Sequence, residues 1–116
     1  KLSRDRMVSW AIELAGLYRP IAEAIACLIR KAEVAHCDET PIVVGKGKKR
    51  GEKRYQDGYL WPILAEGIGI AFLYRPTRAW REVASVLKGF SSTLVSDALD
   101  AYENYVKENN IRWNQR

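Results

Sequence analysis

A chain of 116 residues is long enough for one hydrophobic core and too short for two. Its composition, 47% apolar with four Trp and six Tyr, excludes a disordered polymer, and no apolar run approaches the roughly 18–20 residues of a membrane span. The formal net charge of +5 lies entirely in KGKKRGEKR (46–54), where Lys46, Lys48, Lys49, Arg50, Lys53 and Arg54 stand against Glu52 alone.

At the start of the chain Ser3 can cap a helix. Its apolar positions Met7, Trp10, Ala11, Leu14 and Tyr18 recur at helical spacing. Arg19, before Pro20, is biased away from helical angles, whereas Pro20 suits the first turn of a new helix. Ile21, Ala24, Ile25 and Leu28 then repeat the pattern up to Arg30 and Lys31, cations suited to a helix C-terminus. Residues 4–31 therefore read as one kinked helix or two joined ones, within a helical lead (1–32) to a domain spanning 33–116. The most apolar part, IAEAIACLI (21–29), is short and contains Glu23, and no signal-peptide pattern precedes it. The expected location is the cytoplasm, and a first residue of lysine reads as a fragment.

VAHCDETPIVV (34–44) is rich in β-branched and small apolar residues and reads as a strand, with Pro41 marking a bulge or an edge. Cys27 and Cys37 lack CxxC spacing, and His36 alone cannot complete a zinc set, so both thiols read as reduced and structural. His36 and Cys37 are strand neighbours that point to opposite faces, which argues against a catalytic pair.

The basic loop 46–54 follows. Such a patch on an otherwise neutral domain suits a polyanion such as nucleic acid, and equally a soluble hairpin tip. GYLWPILAEG (58–67) and GIAFLYRP (69–76) read as a hairpin turning at Glu66-Gly67. Thr77 can cap a helix in which Trp80, Val83, Ala84 and Leu87 share a face, with Gly89 as its stop. STLVSD (92–97) is a short strand, ALDAYENYVKEN (98–109) a helix with Ala98, Tyr102, Tyr105 and Val106 inward, and IRW (111–113) the start of one more strand. Three antiparallel strands followed by helix-strand-helix-strand is the order of an α/β, ribonuclease H-like mixed sheet, incomplete at its C-terminus.

In that order Asp38 lies on the first strand and Asp97 ends the fourth. If these strands are adjacent and parallel, the two acids converge at one rim. Paired carboxylates repel unless a hard cation, Mg²⁺ or Mn²⁺, lies between them. Capping of the last helix is the plain alternative for Asp97, and a local polar partner for Asp38. Glu39 points to the face opposite Asp38 and is not counted as a ligand; His36 shares the face of Asp38. Core packing is the expected role of Tyr59, Trp61 and Trp80, ahead of base stacking.

The ordered set HCDETP, GYLW, FLYRPTR, LKGF and SDALDAY, over nearly the whole chain, resembles the transposases of the insertion sequence 66 family. The lead SRDRMVSWAIELAGLYRP is similar to the stretch ahead of that family's catalytic core. The resemblance implies a DDE-type transposase domain of ribonuclease H-like fold. Such a domain performs divalent-metal-dependent DNA cleavage and strand transfer at insertion-sequence ends, on bacterial nucleoid DNA. Asp38 then matches the family's first metal-binding aspartate and Asp97 the second, both catalytic, with Mg²⁺ or Mn²⁺ as cofactor and DNA as partner. Lys46, Lys48, Lys49, Arg50, Lys53 and Arg54 would contact the DNA backbone. Ala98 stands where the family usually has glycine. The family's third acid, a glutamate on a later helix, has no counterpart before Arg116; Glu103 and Glu108 belong to the helix directly after Asp97. On this reading the fragment alone is inactive, and a sheet left incomplete favours a homo-oligomer. A basic nucleic-acid-binding module with structural acids, or a decayed transposase relic, is the alternative.

Overall fold

The computed structural model describes residues 2–45, 55–97 and 100–115; the basic stretch 46–54 and Ala98 lie outside the described residues. Helix α1 (Arg4–Arg30) runs unbroken through Pro20. The chain thus takes the single-helix alternative, and the pre-proline bias of Arg19 is overridden by helix on both sides. Ser3 caps it as expected, accepting from the Arg6 backbone N–H at 3.3 Å. Only Ala26 and Ile29, near its C-terminus, are buried.

Strands β1 (Val34–Cys37) and β2 (Thr40–Gly45) take the place of the expected single strand. Both pair antiparallel with β3 (Tyr55–Ala65), and one register runs through both: His36 faces Leu64, Cys37 faces Ile63 and Thr40 faces Leu60. The interruption at Asp38 and Glu39 therefore has a local cause. In that register Pro62 faces Asp38. The Asp38 N–H reaches the Pro62 carbonyl at 3.3 Å, but proline has no N–H to return the bond. Pro41 occupies an edge: Thr40 and Ile42 face Leu60 and Gly58 in bonded pairs, so Pro41's nitrogen turns away from β3, where no donor is needed.

Strand β4 (Gly69–Arg75) pairs antiparallel with the other edge of β3. The turn between them is closed by the Ile68 N–H on the Ala65 carbonyl at 3.2 Å, with Gly67 at φ 74°, a left-handed angle that glycine adopts at no steric cost. Helix α2 (Trp80–Val86) starts later than the Thr77 cap suggests. Its N-cap is Ala79, and the Thr77 hydroxyl instead meets the Ala79 N–H and the Glu82 carboxylate. Trp80 lies at the exposed margin of α2 and not in the core, whereas Trp61 is fully buried and Tyr59 packs on the core's edge. Gly89, at φ 81°, closes the turn after α2.

Strand β5 (Thr93–Ser96) pairs parallel with β1, and β6 (Arg112–Gln115) pairs parallel with β5 across helix α3 (Asp100–Asn109). Helix α3 ends with Asn110 at φ 51° and the Ile111 N–H on the Val106 carbonyl, a Schellman closure that seats Ile111 in the core. Counting β1 and β2 as one interrupted strand, the sheet reads β4, β3, β1/β2, β5, β6, three antiparallel strands followed by two parallel ones. This is the mixed sheet of a ribonuclease H-like core. Alternate residues of each strand (Ala35 and Cys37, Trp61 and Ile63, Ala71, Leu94) form one buried cluster with Ala26, Ile29, Val83, Val86, Tyr102 and Tyr105 of the three helices. The described helices thus share one face of the sheet. On the other face Leu64, Ile70, Phe72 and Tyr74 remain exposed.

Candidate metal centre

Val34, Ala35 and His36 of β1 pair in parallel with Thr93, Leu94 and Val95 of β5. Two further steps in that register set Asp38 beside Asp97, just beyond the C-terminal ends of both strands. From this point the chain turns toward β2 and β3 on one side and toward α3 and β6 on the other. Such a divergence opens a crevice at the carboxyl ends of strands. Oxygen atoms of Asp38, Glu39 and Asp97 gather there, all within 4.8 Å of one another. Asp38 and Asp97 are exposed and Glu39 is half-buried.

Each acid is held differently. The Asp38 carboxylate accepts from the Glu39 backbone N–H at 2.8 Å, which turns it along the rim. Asp97 is fixed through its backbone: the hydroxyl of Ser96, buried at 3% exposure, donates to the Asp97 carbonyl at 3.1 Å. That hydroxyl also accepts from Trp113 Nε1 at 2.8 Å, which ties β6 to the end of β5. Glu39 Oε2 lies 3.2 Å from the Tyr102 hydroxyl, and the same hydroxyl is 3.5 Å from Cys37 Sγ. Tyr102 has one proton to give, and the carboxylate is the stronger acceptor. Burial pushes the Cys37 thiol up to about 12, so it stays protonated. Tyr102 is itself fully buried, edge-on to Trp61 with ring centroids 6.0 Å apart.

Within the cluster the acids act on one another. Burial raises the Glu39 carboxyl above the usual range; the charges of Asp97 and Asp38 raise it further, and Tyr102 and Arg78 offset part of this. Among the described residues, the lysine and arginine ion pairs (Arg75 with Glu82, Lys107 with Glu103) involve none of the three acids. Three carboxylates that offer only oxygen donors, with no described lysine or arginine in an ion pair with them, suit Mg²⁺ or Mn²⁺. A groove of about 980 Å³ leads to Asp38 and Asp97 over the uncovered face of the sheet, past His36, Pro62, Leu64 and Ile70.

Of the residues singled out in the sequence, Asp38 and Asp97 come together, while Lys46, Lys48, Lys49, Arg50, Lys53 and Arg54 lie outside the described residues. Glu39 joins the acids although left out as a ligand. It does point to the face opposite Asp38, toward Cys37 and Tyr102, as strand alternation requires. At the end of β5, however, both faces open onto one rim. Ser96 and Trp113 carry no sequence signal of their role, since a serine and a tryptophan at strand positions pass for ordinary packing.

A family model described as Transposase IS66 family matches residues 1–114. No curated protein sequence matches the chain closely enough to count as a relative. Among solved structures, the crystal structure of the Mos1 strand transfer complex shares 12% identity with it at a TM-score of 0.45, over 82% of this chain. The chain spans 39% of the length of that structure's chain.

Proposed function

Because the chain belongs to the IS66 family of transposases, we propose that Asp38 and Asp97 hold a divalent cation with which the whole transposase cleaves DNA and transfers strands at insertion-sequence ends. One observation carries the reading: carboxylates from two separate parallel strands, 59 positions apart in the chain, present oxygens within 4.8 Å of one another. A bound Mg²⁺ or Mn²⁺ would supply activation of the attacking oxygen and stabilisation of the leaving one.

The protein's own part is positional. The backbone at Asp38 is set by the strand break opposite Pro62, and that at Asp97 by the Ser96–Trp113 anchor, so the segments that carry both acids are in place when the cation arrives. Glu39, restrained by Tyr102, adds negative charge beside them. The groove over the open sheet face admits a substrate to the rim, and the basic residues of 46–54 are assigned the DNA backbone contacts, which position DNA without reading its sequence.

Melting curves with and without metal test this. About 10 mM Mn²⁺ should raise the melting temperature by about 5 °C, the gain for a site with millimolar affinity. Asp97→Asn should abolish that rise, yet melt slightly higher than the native chain without metal because it relieves repulsion among the acids. If Mn²⁺ leaves the native curve unmoved and Asp97→Asn is destabilising without metal, the acids are structural and the reading fails.

A further inference from the structure

Helix α1 carries a second apolar stripe that its own domain does not use. Met7, Trp10, Leu14, Leu17, Ile21, Ala24 and Leu28 are spaced alternately three and four residues apart without interruption. This is the a/d spacing of a helix-packing seam, sustained over three heptads, with Glu13 the one charged residue at the flanking e and g positions. All seven positions are exposed, the six large side chains by 46% to 74%. The separation from the core-facing side is sharp where both are present: Ala26 and Ile29 are buried, while Ala24 and Leu28 on the same turns face out. Pro20, which lacks the backbone donor, falls between Leu17 and Ile21 and outside the repeat.

We propose that this stripe is a homodimerisation seam, along which α1 of one chain packs against α1 of a second copy. The repeat itself selects the occupant. An a/d knob fits a hole formed by another helix of the same period, and an identical helix supplies that period over the full length. The area is also sufficient. Six large apolar side chains at about 60–120 Å² each give roughly 400–700 Å² per chain, and Ala11 and Tyr18 beside the seam bring it near the roughly 800 Å² per partner of a stable interface. The proposal is independent of any metal at the acidic rim.

Sedimentation equilibrium of the whole chain tests it. The expected result is a species of twice the 13.2 kDa of one chain at about 100 μM. The double substitution Leu14→Glu, Leu17→Glu should weaken association at least about 100-fold while the melting transition stays cooperative, because both side chains are solvent-facing in the single chain. Should the double variant lose helix content, Leu17→Lys alone, at the most exposed seam position, should give the same monomer. Phe72→Glu, on the uncovered sheet face, should leave the dimer intact. A monomeric native chain at about 200 μM would overturn the proposal. So would a dimer that survives the seam substitutions but dissociates with Phe72→Glu, since the sheet face would then be the interface.

Discussion

Glu39 and Asp38 leave the chain on opposite faces of one strand and meet again at its end, with consequences for proton binding. Glu39 is half-buried between Tyr102 and two other acids, and its carboxyl is raised by burial first, then by Asp97 and Asp38. Between the ordinary glutamate value and the raised one, the folded chain keeps a proton that the unfolded chain has released. Stability therefore falls as pH rises through that window. Glu39→Gln preserves an acceptor for the Tyr102 hydroxyl and removes the charge. It should raise the melting temperature at pH 7 by about 2 °C, with the advantage vanishing near pH 4; melting scans across that range check the sign. The approach of Asp38 to Asp97 was legible because both acids lie on strands that a mixed sheet of this order can set side by side. Glu39 was not, because alternation sorts side chains by face and is silent about a rim where both faces end.

At the scale of elements, the shortest helix depends most on its neighbours. Helix α2 has no basic residue in its last turn and no side-chain cap at its start. Its terminal carbonyls are met from outside: Arg30 of α1 donates through Nε to the Val86 carbonyl at 2.8 Å, and the Tyr105 hydroxyl of α3 to that of Leu87 at 2.7 Å. The three helices are thus tied at one point over the sheet, and a cation from α1 stands where the α2 dipole favours one. Tyr105→Phe should cost about 1 kcal/mol, because the buried Leu87 carbonyl loses one of two donors and keeps the Phe90 N–H, and should show as a lower urea midpoint with unchanged slope. Most strands were readable from β-branched runs, though not the break in the first, and two turns from Gly67 and Gly89, whose left-handed angles match their residue type. The start of α2 and the exposure of Trp80 were not. Both follow from where α2 lands on the sheet, which helical spacing alone does not encode.

In the whole molecule, the described helices cover one face of the sheet and leave the other to solvent, so the acidic rim is reached from the uncovered side. The element order was enough to read the sheet as mixed, while the adjacency of β1 and β5 is seen only in the structure. It could not show that α1 contributes only its C-terminal turns to the core. The 27-residue helix is about 40 Å long, within a molecule 53 Å in its longest dimension. Residues 5–22 are all exposed and therefore hold helical form on local bonds, the Ser3 cap among them, a marginal condition for a lone segment in water. Deuterium uptake should expose this: amides of those turns should exchange within seconds in dilute solution, while those of Ala26 to Arg30 approach the protection of the sheet. Raising the protein concentration should slow the fast group and leave the slow group unchanged, so that the first half of α1 reports, amide by amide, whether a neighbouring chain is present.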